Sequence, residues 1–115
     1  MMTLIDVLAN ARQRRIAIGH FNVSDLVGLK AVTEAARELK LPAIVGTSQG
    51  EREFLGVQEI AVVVASLRGR LDQPIYLNAD HTHSVEAAIE AATAGYDMIG
   101  FDASTMPLED RKSVV

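Results

Sequence analysis

The residues best suited to chemistry fall in one stretch, Pro74 to Ser84, which reads Pro-Ile-Tyr-Leu-Asn-Ala-Asp-His-Thr-His-Ser. Its apolar, β-prone opening (Ile75, Tyr76, Leu77) gives way to Asp80, His81 and His83, and Ser84 then opens a helix-like run. In a parallel α/β fold the carboxyl end of a strand is where functional side chains project, while the strand itself is buried. Asp80 offers an oxygen acid or base, and His81 a nitrogen metal ligand. Neighbouring strand residues point to opposite faces, so these two serve one site only where the strand breaks its alternation.

Composition narrows the chemistry. The 115 residues suffice for one modest domain with a core of its own. Cysteine is absent, which excludes disulfides and thiol catalysis and leaves His, Asp, Glu or backbone oxygen to hold any metal. Eleven Lys and Arg against fifteen Asp and Glu give a net charge of -4, which argues against a nucleic-acid footprint or an anionic-membrane binder. No apolar run approaches the roughly 18 residues of a membrane span, and none at the start is long enough for a signal peptide. A cytoplasmic address is the expectation.

The elements that must position Asp80 and His81 read in order along the chain. Thr3 to about Arg14 predicts a helix with a Thr3–Asp6 capping box and an apolar side of Leu4, Ile5, Leu8 and Ala11. Ile16 to Val23 predicts a first strand, and Ser24 or Asp25 caps a helix running to about Lys40. Ala43 to Thr47 is a buried-type second strand ending in the polar run Ser48-Gln49-Gly50-Glu51. A helix over Val57 to Arg70 contains the Val62-Val63-Val64 run, read as core. Ile75 to Ala79 is the third strand, and Ser84 to Ala94 a helix stopped by Gly95. Asp97 to Phe101 is the fourth strand, and a further helix begins at Met106-Pro107. Strands alternating with helices predict a parallel sheet, with the strands buried on both faces. A closed eight-stranded barrel of such units needs about 250 residues, so four strands amount to about half of one.

Each predicted strand ends in polar residues: His20 and Asn22, then Ser48 and Gln49, then Asn78, Asp80 and His81, and lastly Asp102 and Ser104. A parallel sheet puts these clusters on one rim. With no nucleophile elbow, G-x-G-x-x-G or Walker loop in the chain, what remains is metal or proton-transfer chemistry.

Four segments then carry a resemblance: Gly-His-Phe-Asn-Val, Ala-Ile-Val-Gly-Thr-Ser-Gln-Gly, Leu-Asn-Ala-Asp-His-Thr-His-Ser and Gly-Phe-Asp-Ala-Ser-Thr-Met-Pro-Leu-Glu-Asp. In order and spacing they resemble the N-terminal half of the class II, zinc-dependent fructose-bisphosphate and tagatose-bisphosphate aldolases. The resemblance implies an α/β fold of parallel (β/α) units, the first four strands of a TIM barrel, with residues 1–115 forming the N-terminal half. It also implies a lyase of carbohydrate metabolism, on the glycolytic route, that reversibly cleaves a ketose bisphosphate to dihydroxyacetone phosphate and glyceraldehyde 3-phosphate. Asp80 matches the proton donor to the aldehyde oxygen, and His81 matches one of three zinc-binding histidines. Asp102 matches an acid that can hold a second or alternative cation beside Zn2+. Ser48 and Asn22 match substrate-side residues. The resemblance further implies a homo-oligomer of two or four chains, with no nucleic-acid or membrane partner. Asn78 stands where many members have histidine, at a position that is not a ligand. The other two zinc histidines and the phosphate loops belong to the second half of the barrel, so the chain by itself is expected to be inactive.

Plainer roles stand beside these. Asp80 also reads as a helix N-terminal acid, Asp102 as a strand-end cap, and Ser48 and Ser104 as capping or turn residues. His20 reads as a packing or rim residue, and His83 as a loop or cap-region residue. The competing functions are a non-catalytic half-barrel that pairs its open edges and a sugar-phosphate-binding module without aldol chemistry.

Overall fold

The computed structural model describes residues 1–112. Its elements are α1 (Leu4–Arg14), β1 (His20–Asn22), α2 (Leu26–Leu39), β2 (Ala43–Thr47), α3 (Gln49–Leu55), α4 (Val57–Leu71), β3 (Ile75–Thr82), α5 (Val85–Ala94), β4 (Met98–Phe101) and α6 (Leu108–Lys112). The strands form one sheet in the order β1-β2-β3-β4, every neighbouring pair parallel. The α/β class and the parallel arrangement therefore stand as the sequence predicts.

The helices start and stop where side chains dictate. Thr3 and Asp6 close the expected capping box on α1, the Asp25 carboxylate caps α2 through the amide of Gly28, and Ser84 caps α5. At the other ends, Arg15, Lys40 and Asp72 adopt left-handed geometry, and Gly95 does the same after α5 at φ 98°.

The two faces of the sheet are covered differently. Val45, Ile75, Leu77 and Ala79 pack against Leu29, Ile60, Val64, Leu67 and Ala91 of the helices, forming the main core. The alternate residues Ile44 and Tyr76 meet Leu4 and Val7 of α1, which covers only the amino-terminal end of the second face. The Tyr76 hydroxyl donates to Met2 O at 2.6 Å and fastens α1 there. Further along the same face come Gly46 and Asn78, on the way to the rim.

Several expectations need correction. The first strand covers only His20–Asn22, because the ladder to β2 ends with the bonds from Ile44 N to Gly19 O and from Val23 N to Gly46 O. It is an exposed edge strand, not one buried on both faces. Burial on both faces holds for β2 and for most of β3. The polar run after β2 is the helix α3, capped by Ser48 with Glu51 in the reciprocal position. Of the Val62-Val63-Val64 run only Val64 is core; Val62 is 67% exposed, since three successive helical residues cannot share one face. Ile5 likewise points to solvent, and Val7 takes the core position with Leu4 and Ala11.

Tyr76→Phe should destabilise the protein by about 0.5–1.5 kcal/mol in urea unfolding, the usual net value of one hydrogen bond. Amide protection in α1 should fall first, and unchanged protection there would show that Tyr76 does not hold the helix. Burial pushes the phenols of Tyr76 and Tyr96 above the ordinary value. Their contribution to stability is therefore fully present below about pH 10 and is lost as pH rises through the raised folded-state values. Phenolate absorbance should appear together with, not before, loss of far-ultraviolet ellipticity.

Candidate active site

The third strand continues past Ala79 to Thr82, and its pairing with β4 slips on the way. Ala79 pairs with Ile99 but Thr82 pairs with Phe101, so β3 carries one extra residue between them. His81 takes up the slack in left-handed geometry, at φ 49°. Such geometry costs a non-glycine residue about 1–2 kcal/mol, although histidine tolerates it better than most. The break in alternation that a shared Asp80–His81 site requires is therefore present. Asp80 turns to the face of Gly100, where an added Cβ would lie 3.4 Å from Asp80 Oδ1. The exposed His81 ring returns to the same carboxylate, with Nε2 3.5 Å from Asp80 Oδ2.

The other expected site residues fall into two further groups. Asn22 donates its amide to Glu51 Oε1 at 2.8 Å, and the backbone of Ser48 donates to Glu51 Oε2 at 3.3 Å. Ser48 and Asn22 thus meet on one carboxylate, and the Ser48 hydroxyl also acts as the helix cap. Asp102 lies on the β4 side, with Oδ2 4.0 Å from His83 Nδ1. Its Oδ1 accepts from the Ser104 amide at 2.9 Å, in keeping with the strand-end cap read for Asp102 and the turn read for Ser104. Hydrogen bonds from the Ser104 hydroxyl and amide hold the Asp102 carboxyl below the ordinary aspartate value, with His83 and His81 adding to the effect. It is ionised at neutral pH. The His83 backbone donates to Gln49 Oε1 at 2.9 Å, as fits a residue leading into the α5 cap.

Below the rim, His20 leans from β1 across β2 to Asn78 on β3, with Nε2 3.1 Å from Nδ2. The ring passes over Gly46, where a Cβ would collide with it, so the absence of a side chain opens this path. Asn78 is 4% exposed, and its Oδ1 has no hydrogen-bond partner among the described residues. Turning the amide over would let oxygen accept from a protonated Nε2 and leave the nitrogen unpartnered, so the pair leaves one amide atom unmatched in either orientation.

Two residues of this network escaped the sequence reading. Glu51 was legible, because Ser-x-x-Glu is a capping-box signature. Arg52 was not, since an arginine in a polar run ordinarily reads as solvated. It is 3% exposed, donating through Nη1 to Thr47 O and to Asp80 O (2.9 Å) and through Nη2 to Thr82 Oγ1 (3.0 Å). Burial lowers its pKa, opposed by Tyr96 and Asp80, yet a guanidinium stays charged at any ordinary pH.

A catalytic zinc site takes three protein ligands and keeps a fourth position open. Among the described residues no group of three or more His, Asp or Glu side chains is placed to share a metal ion. His81 and Asp102 are donors of the right chemical types, but these residues alone do not make a complete zinc site.

A parallel β/α sheet in the order β1-β2-β3-β4, with carboxylates and imidazoles gathered at its carboxyl rim, is the arrangement of barrel-type α/β proteins, and that rim is the candidate site. The comparison with known families narrows this class. The family model described as fructose-bisphosphate aldolase class-II matches residues 2–113, and the chain belongs to that family. It is 32% identical over 115 residues to the fructose-bisphosphate aldolase of Mycoplasma pneumoniae, an alignment covering 96% of this chain and 39% of that protein. The crystal structure of the YdjI aldolase from Escherichia coli K12 superposes with a TM-score of 0.82 at 27% identity, covering 94% of this chain and 42% of that one. Fructose-bisphosphate aldolase from Campylobacter jejuni gives a TM-score of 0.82 at 25% identity over 96% and 39% of the two chains. The chain spans about 40% of the length of the curated relatives it matches.

Because the Asp102 pKa is depressed, its stabilising effect is present above about pH 3.9 and is lost as pH falls through the lower folded-state value. Ser104→Ala should move the Asp102 titration, followed by carboxyl carbon-13 NMR, upward toward the ordinary value. A titration unmoved by Ser104→Ala would assign the depression to the wrong cause.

Proposed function

We propose that this chain supplies the acid/base side of an active site for reversible aldol cleavage of a ketose bisphosphate, giving dihydroxyacetone phosphate and an aldehyde phosphate. The observation that carries the reading is the bulge of β3, which brings Asp80 and His81 to one side of the strand end. Family membership supports the reaction class.

In this reading Asp80 exchanges the proton of the hydroxyl that becomes the aldehyde carbonyl. In cleavage it takes the proton as the carbon–carbon bond breaks, and in condensation it returns the proton to the developing alkoxide. His81 beside it orients the carboxylate; its imidazole would serve as a ligand for zinc, and the Asp102 carboxylate would hold the same ion or a second cation. A bound divalent ion in such a site supplies Lewis-acid polarisation of a carbonyl. A complete zinc site would need more protein ligands than His81 and Asp102. Asn22 and Ser48 bind the aldehyde half of the substrate, with Glu51 fixing both in place.

Cleavage of fructose 1,6-bisphosphate by the 115-residue protein under zinc-replete conditions, with and without EDTA, tests the proposal directly. Any turnover should be abolished by EDTA and lowered about 10²-fold or more by Asp80→Asn, the range expected for loss of a general acid/base. Turnover that survives either change would contradict the roles given to Asp80 and the metal. A folded protein without turnover would confine the proposal to a partial site completed by further residues.

A further inference from the structure

We propose that Arg52 is the positioning residue of this site: its buried guanidinium holds the extra residue of β3 in place and thereby keeps the Asp80 carboxylate and the His81 imidazole together. The inference rests on the reading that these two side chains act jointly, but its test reads conformation and needs no turnover. Failure of the clamp and failure of the aldolase reading are therefore separate outcomes.

The contacts bracket His81 on both sides. Arg52 Nη1 donates to Asp80 O, the carbonyl that precedes the left-handed residue, at 2.9 Å. Arg52 Nη2 donates to the hydroxyl of Thr82, the residue that follows it, at 3.0 Å. Thr82 passes the connection back along the strand, donating to Ala79 O at 2.8 Å, so the whole bulge from Ala79 to Thr82 closes on one side chain. The guanidinium is anchored in turn by Thr47 O, the last carbonyl of β2, and by its place in α3 next to the Ser48–Glu51 cap. The clamp extends to β4, because the Asp102 amide donates to Thr82 O at 2.7 Å. Arg52 thus ties the carboxyl ends of β2 and β3, and β4 is joined to the clamped residue Thr82 by the Asp102 backbone, so Asp80, His81 and Asp102 all stand on connected segments.

The chemistry of the side chain explains why arginine is needed. Three acceptors in different directions call for a rigid planar fork, which guanidinium provides and a lysine ammonium on a flexible stem does not. A residue placed only to balance buried charge would tolerate lysine.

The test is solution NMR of the full 115-residue protein as wild type, Arg52→Lys and Arg52→Met, with Leu67→Ala as a control that weakens the main core far from the rim. The one-bond Hα–Cα coupling of His81 reports the sign of φ. Exchange of the Asp102 amide, compared with that of Leu77 in the same sheet, reports release of the rim. Both Arg52 variants should shift His81 to negative φ and speed Asp102 exchange about tenfold or more relative to Leu77, a local opening. Leu67→Ala should leave both unchanged in relative terms. Retention of positive φ in Arg52→Met, or full rescue by Arg52→Lys, would overturn the proposal. If the variants do not fold, the wild-type guanidinium decides. Slow exchange of its protons with a through-hydrogen-bond coupling to the Asp80 carbonyl supports the clamp, and exchange as fast as that of the exposed Arg37 overturns it.

Discussion

A strand shows its side chains alternately to its two faces, and everything at this rim depends on how that rule is broken between Ala79 and Thr82. Without the extra residue, Asp80 would face the inner side of the sheet while His81 pointed into the helix layer. With it, the imidazole returns to within 3.5 Å of the carboxylate, and the buried Thr82 hydroxyl takes a place beneath. The left-handed geometry at His81 costs about 1–2 kcal/mol. Hydrogen bonds to a charged group contribute about 1.5–3 kcal/mol each, so the two from Arg52 that flank His81 are enough to offset it.

The rest of the molecule makes this local break tolerable. Below it, β2 and β3 are buried and packed on both sides, by the helices on one face and by α1 at the amino end of the other. Above it, α3 follows β2 at once and puts Arg52 and Glu51 on the rim from a helix that starts at Ser48. Glu51 collects Asn22 of β1 and Ser48, the cap residue that follows β2, Gln49 reaches the backbone of His83, and His83 stands beside Asp102. The rim is continuous from the first strand to the last, although each strand pairs through its backbone only with its neighbours in the sheet. The family model and the superposition on solved aldolases assign the chain to the class II aldolase family, and the proposed residue roles combine the family resemblance with the geometry of the rim.

Much of this was legible in the chain. Periodicity and capping residues located most helices and all four strands, because Thr3, Asp25, Ser84 and Gly95 act through short-range hydrogen bonds or backbone preference. The juxtaposition of Asp80 and His81 was legible as a condition, that the strand must break, but not as a fact. The register slip depends on β4 and on Arg52, and the latter is 28 positions from its acceptor on Asp80. The helix after β2 was hidden by a glycine in its first turn, despite its Ser48–Glu51 signature. Val62 and Ile5 are exposed for a simpler reason: adjacent apolar residues on a helix cannot share one face, and Val64 and Leu4 take the core positions beside them.

The β3 bulge brings Asp80 and His81 together on the rim that also carries Asp102, and we propose that a divalent ion binds there. The most direct test is to add Co2+ as a paramagnetic stand-in for zinc and map the NMR shifts it induces across the protein. The account predicts that the effects centre on His81, extend to Asp80 and Asp102 as their nearest neighbours, and weaken toward His20. A metal located at His20 and Asn78, or shifts spread without a centre over the acidic surface, would contradict it.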